Sequence, residues 1–139
     1  MTRHSPRSIL EGIARDLDRA DIGYYRGGTI PPKTPWPVYL YSWGAAEQQL
    51  VVNLPLYVPD DSGLWEGSLQ ILTRAATAAT AEAKACQAAD LIDRLTYPDW
   101  GGTVVSNTRL TAVSPLGVDG NQRPMWVVKA RVTGITPKE

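Results

Sequence analysis

Few residues in this chain can do chemistry, and their spacing argues against most reactions. A nucleophile paired with a base ordinarily needs a histidine or its equivalent. The single histidine, His4, falls in an N-terminal segment expected to fray. With one histidine and one cysteine, Cys86, a His-rich metal site is excluded and a His–Cys site has too few ligands. Cys86 stands among alanines and reads as a small buried hydrophobe. A lone cysteine also forms no internal disulfide. Asp60 and Asp61 are adjacent carboxylates in a Pro59–Gly63 turn, which reads as a solvated loop rather than an acid–base pair. Asp90 and Asp93 lie one helical turn apart beside Arg94, a pattern of surface ion pairing. Gly27-Gly28 lacks the Lys-Ser/Thr that completes a phosphate-binding loop.

What the chain does offer is contact chemistry. Of its five tryptophans, Trp36, Trp43 and Trp65 fall in or beside expected loops, and Trp100 follows a turn. Tryptophan buries much area at little rotamer cost and is enriched at interface hot spots. Trp36, Asp60, Asp61 and Trp65 are therefore candidate interface residues on loops. Arg74 reads as an exposed charge ending a strand. Arg109, Lys129 and Arg131 fall on the polar faces of the last two strands. Ordinary solvated charge is the competing reading for these cations.

These residues need a frame. The 139 residues suit one domain, 1–139, and suffice for a buried core. Apolar residues make up 43% and charged residues 20%, as in an ordinary globular domain. Fourteen basic residues balance fourteen acidic ones, so neither a nucleic-acid nor a membrane surface is implied. No apolar run approaches the roughly 20 residues of a membrane span. The first residues lack the apolar stretch of a secretory signal, and the expected compartment is a cytoplasm.

Ser5-Pro6 is a helix start, with Ile9, Leu10, Ile13, Ala14, Leu17 and Ala20 as the buried stripe and Gly23 as the stop. Tyr24–Arg26 reads as a short strand. Gly27–Pro37, with two glycines and four prolines, reads as an exposed loop or an arm that orders against a neighbour. Val38–Trp43 is a strand by composition. In Gln49–Val58, Leu50, Val52, Leu54, Leu56 and Val58 alternate with Val51, Asn53, Pro55 and Tyr57, and Pro55 marks an edge or a bulge. Ser68–Ala75 is the next strand. Ala78–Leu95 is a helix whose stripe of Ala81, Ala85, Ala88 or Ala89, Ile92 and Leu95 allows close approach to a sheet; Thr77 or Thr80 caps it. Thr103–Val113 and Met125–Val132 close the chain as a hairpin around a Ser114–Arg123 loop. The expected fold is α+β: a small mixed, mostly antiparallel sheet packed by two helices.

Four stretches carry a resemblance. Ile9-Leu-Glu-Gly-Ile-Ala-Arg-Asp-Leu17, ending near Gly23, resembles the opening helix of the tail terminator family of long-tailed phages, also described as minor capsid or tail completion proteins. Pro37-Val-Tyr-Leu-Tyr41 resembles its first core strand. Leu69-Gln-Ile-Leu-Thr-Arg-Ala75 followed by Ala85–Leu95 resembles its strand and helix, and Asp119-Gly-Asn-Gln-Arg-Pro-Met-Trp126 its closing hairpin. The prolines of 27–37 and the Leu50–Val58 strand depart from the family pattern. The resemblance implies a structural virion protein with no cofactor and no catalysis. It implies a ring, usually of six subunits, that caps the tail tube, stops its growth and offers a surface to neck or head-completion proteins. It further implies a lumen through which DNA passes, and Arg109, Lys129 and Arg131 are candidates to line it. A ring needs a head-to-tail interface, and free sheet edges supply one route. A neck adaptor or stopper between portal and tail is the first alternative. A small cytoplasmic ligand-binding domain or enzyme of α+β type is the second, and it requires a concave pocket.

Overall fold

The computed structural model describes residues 5–136. His4 lies outside the described residues. Helix α1 (Pro6–Arg19) is followed by strands β1 (Val38–Leu40), β2 (Gln49–Pro59) and β3 (Leu64–Arg74). Helix α2 (Ala78–Arg94) leads to β4 (Asp99–Trp100), β5 (Thr103–Val118) and β6 (Pro124–Ile135). One six-stranded sheet runs in the order β1-β2-β3-β6-β5-β4. Only β1–β2 is parallel; the other pairs are antiparallel. The α+β expectation, a mixed, mostly antiparallel sheet with two helices, is met.

Helix α1 begins as a capping box: Ser8 N–H donates to Ser5 Oγ while Ser5 N–H donates to Ser8 Oγ. Ile9, Leu10, Ile13, Ala14 and Leu17 are all buried. The stop differs from the expected one. Asp21, not Gly23, takes the left-handed conformation, at φ 60°, and the amides of Ile22 and Gly23 both donate to Leu17 O. Gly23 serves close approach instead, since a Cβ there would lie 2.5 Å from Val38 Cγ2.

Helix α2 is capped by Thr77, whose hydroxyl accepts from Thr80 N–H. Its buried face, Ala81, Ala85, Ala88, Ala89, Leu91 and Ile92, lies over β3, β5 and β6. Thr73 Oγ1 on β3 donates to Ala81 O, and Thr108 Oγ1 on β5 donates to Ile92 O. Helix α1 touches β1, β2 and β4, which stand at opposite ends of the sheet order. The sheet must therefore curl around α1, with both helices on its concave side.

Bulges supply that curl. Ser106, Thr111 and Leu116 are each an extra residue on β5 opposite β6. The β2–β3 register also shifts between Asn53 and Leu56. The expected alternation of β2 therefore fails beyond Pro55. Leu56 and Val58 are about half exposed, while Tyr57 turns in against Trp65, with ring centroids 5.5 Å apart. Strand β5 also continues through Pro115 to Val118, so only Asp119–Arg123 remains as the hairpin loop, where a ten-residue loop was expected. Before β2, strand structure is shorter than expected, whereas β3 starts four residues earlier than expected, at Leu64. The Tyr24–Arg26 stretch makes a single bridge, Tyr24 to Pro37, and β1 stops at Leu40, before Tyr41 at φ 73°.

Candidate assembly surfaces

Of the candidate interface residues on loops, Trp65 is core. Trp65 is 1% exposed; its indole N–H donates to Thr103 Oγ1 at 2.8 Å and its ring lies against Gly134. The loop expected around it is the first half of β3. Trp100 is likewise buried, with its indole N–H on Asp16 Oδ2 at 2.7 Å. Trp36 is half-buried at the end of the 27–37 loop, with Lys84 Nζ 4.8 Å from its ring centroid. Lys84 also donates to Ile22 O at 3.0 Å, and burial lowers its pKa although Asp21 opposes the shift.

Arg74 is also not the exposed charge that a strand end suggested; it is 4% exposed. Its guanidinium donates to Ala46 O at 2.7 Å and Glu47 O at 3.2 Å, faces Asp119 Oδ2 at 3.4 Å, and lies 4.8 Å from the Trp43 ring centroid. Desolvation and the neighbouring Arg123 lower its pKa, while Asp119 acts the other way. Arg74 thus ties the 41–48 loop to the 119–123 turn. Asp119 completes the knot. It accepts from the amides of Asn121 and Arg123 and from Arg123 Nε at 2.8 Å. Desolvation raises the Asp119 pKa, but these hydrogen bonds hold it below the ordinary carboxylate value. The sequence pointed to neither Asp119 nor Trp43 as a partner of Arg74; Asp119 in a turn beside Arg123 was the available signal.

Asp60 and Asp61 are an exposed turn, as expected. Asp60 Oδ1 accepts from Ser62 Oγ, Ser62 N–H and Leu64 N–H, which lowers its pKa. Cys86 departs from expectation: it is exposed on α2. Arg94 makes no ion pair with Asp90 or Asp93; its Nε donates to the Asp90 carbonyl at 3.2 Å. Among the described residues no group of three His, Cys, Asp or Glu side chains is placed to hold a metal ion. No helix among them is long and apolar enough to cross a membrane.

The structure does bring Arg109, Lys129 and Arg131 together. Arg109 and Arg131 are directly opposed on β5 and β6, and Lys129 lies two residues along on the same face. Across β6 they face Ser68 and Gln70 of β3. This is the convex side of the sheet, away from both helices. All three cations are exposed, and none has an ion pair among the described residues. Further along the same face, Leu64, Ile135 and Val104 form an exposed apolar row, 39–45% accessible. On the helical side is an open groove of about 610 Å³, lined by Ala20, Asp21, Ile22, Gln87, Asp90, Asp93 and Arg94.

A curled α+β sheet with one face under helices and one face open is a unit whose distinctive features are surfaces. The chain belongs to the bacteriophage tail terminator family: the family's model, described as "Bacteriophage tail terminator protein", matches residues 17–134. That span runs from the end of α1 through nearly all of β6. No curated protein matches the chain. Membership gives the protein a structural role in the phage tail.

Proposed function

We propose that this chain forms a ring, of six subunits, that caps the completed tail tube, stops further addition of tube protein and presents a surface to the neck proteins beneath the head. The observation that carries the reading is family membership across nearly the whole sheet and all of α2. The protein then acts at the tail–neck junction of the virion, after assembly in the host cytoplasm. Its partners are its own copies, the tail-tube protein and a head-completion protein. DNA meets it only in passage through the lumen. No cofactor takes part, and no membrane is involved.

The described surface agrees with such a role. Two knotted loops, 41–48 and 119–123, hold one end of the convex face in a fixed shape through Arg74. A pre-shaped surface loses less entropy on docking than a loose one. The Asp60–Leu64 turn is similarly self-bonded, so Asp60 and Asp61 stand exposed on a rigid corner.

The test adds purified protein to polymerising tail-tube protein and measures tube lengths by electron microscopy. Termination predicts shorter, uniform tubes with extra density at one end. Binding to portal-containing capsids with no effect on tube growth would instead assign the protein to the neck as an adaptor.

A further inference from the structure

Two exposed patches on opposite sides of this subunit differ in charge. On the convex side, Arg109, Lys129 and Arg131 cluster, with Glu66 on β3 and Asp99 on β4 as carboxylates further along the shared face. Like charges directly opposed across strands destabilise a sheet, so the Arg109–Arg131 pair costs stability in the lone subunit. On the other side, Glu82, Cys86, Asp90 and Asp93 recur along α2 at spacings of four, four and three, one exposed stripe. Asp21 adds a carboxylate at the α1 end of the adjoining groove, where three carboxylates, Asp21, Asp90 and Asp93, outnumber one cation, Arg94.

The free sheet edges are poor docking sites by comparison. Strand β4 covers only the first two residues of β5, and β1 covers only Leu50–Val52 of β2. The uncovered part of β5 carries Pro115 and three bulges, and that of β2 carries Pro55, Pro59 and a bulge. Prolines and bulges blunt an edge against strand addition.

We infer that the basic convex face of one copy docks on the acidic α2 face of the next, a head-to-tail contact driven by charge complementarity. The two patches lie on opposite sides of one chain, so the contact is heterologous and propagates into a closed ring if the rotation closes. Between Glu82 and Asp90 the exposed residues are Ala83, Cys86 and Gln87, and the first two are small, which lets a strand face come near. The partner is therefore a second copy and not DNA: a DNA-facing cluster gives no reason for an acidic counterpart on the far side. This inference rests on the ring reading above and names the faces that would build the ring.

Charge reversal tests it. K129E/R131E makes both faces acidic, and D90K/D93K makes both basic. Solution mass is read by light scattering at low and high salt, with circular dichroism as the check on folding. Wild type is expected to assemble at low salt and dissociate as salt screens the contact. Each reversed variant should assemble at least about tenfold more weakly, while a 1:1 mixture recovers the wild-type mass, which misfolded chains would not do. Alkylation of Cys86 should slow in wild type and in the mixture, and not in either variant alone. The inference is overturned if wild type stays monomeric at low salt, or if the reversed variants assemble unchanged. It is also overturned if K129E/R131E assembles normally yet loses binding to duplex DNA by fluorescence anisotropy. In each of these cases tube termination can still be observed, so the terminator reading stands or falls separately.

Discussion

Gly12 sits in the middle of α1, where alanine would ordinarily be the better residue by about 1 kcal/mol. Here the sign should reverse. A Cβ at position 12 would lie 2.5 Å from Trp100 Cα, 2.9 Å from Trp100 Cβ and 3.0 Å from Gly101 N. These are mostly backbone atoms of the short β4 edge, and Trp100 is itself pinned by its indole hydrogen bond to Asp16. No flexible tip can swing away, so the helix or the edge must move. Overpacking of this kind costs about 1–3 kcal/mol, and rigid neighbours place it at the upper end. The net expectation for Gly12→Ala is a loss of about 2 kcal/mol, taking cost against propensity gain. For a chain of this length that lowers Tm by roughly 6–10 °C. Urea and thermal unfolding followed by tryptophan fluorescence measure it. Gly120→Ala is the control, with nothing within 4 Å of its Cβ position, and should stay within about 0.5 kcal/mol of wild type. A Gly12→Ala variant more stable than wild type would mean that α1 does not approach β4 closely, and would refute the curled sheet.

Arg74→Lys should cost about 2–4 kcal/mol in urea unfolding, because one ammonium cannot reach two carbonyls, a carboxylate and a ring face together; an unchanged midpoint would refute the knot. Trp65→Phe keeps most of the ring volume but leaves buried Thr103 without its indole donor, an expected loss of about 1–3 kcal/mol with altered near-ultraviolet circular dichroism. Asp119 has a folded pKa below its unfolded value, so its contribution is present above the ordinary carboxylate pKa and lost as pH falls through the depressed one. Acid titration of Asp119→Asn should accordingly show a flatter loss of stability below about pH 4 than wild type.

Local signals carried the helices into view. A capping Ser-Pro, a three-and-four apolar spacing and a run of alanines are decided within a few residues, so α1 and α2 were legible nearly to their ends. The strands were legible only where alternation is unbroken. Each extra residue on β5 inverts which side chains face the core, so with two of them before it and a third inside it, the run from Ser114 to Val118 no longer reads as a strand. Pro55 announced a bulge in β2, yet the change of face that follows from it, Tyr57 inward and Leu56 and Val58 outward, required the partner strand. The surface candidates split in the same way. Arg109, Lys129 and Arg131 were placed by period-two alternation and remain exposed. Arg74 and Trp65 are buried by segments distant in sequence, the 41–48 loop and the Thr103–Gly134 corner, and no local pattern reports such covering.

Zero net charge conceals how the charges are arranged. Fourteen cations and fourteen anions scattered at random would leave each subunit with small, mixed fields and no preferred neighbour. Here three cations share an open strand face without ion pairs among the described residues, and the acids of α2 share a stripe in which Arg94 bonds the Asp90 carbonyl and no carboxylate. A buried Arg74, in contrast, receives every partner that it can use. The difference between a satisfied internal guanidinium and three unsatisfied external cations lies in what surrounds them, since residue type is nearly the same. Burial required the first to be neutralised within the chain, whereas exposure lets water solvate the others without an internal partner. Because exposed pairs are individually weak and salt-dependent, an interface made of them would be marginal between two free subunits. Low salt strengthens it, and so does holding several subunits together on a common template. A tube end is such a template, so under the ring proposal the contact that assembles free subunits at low salt is expected to close there at salt concentrations that keep free subunits apart.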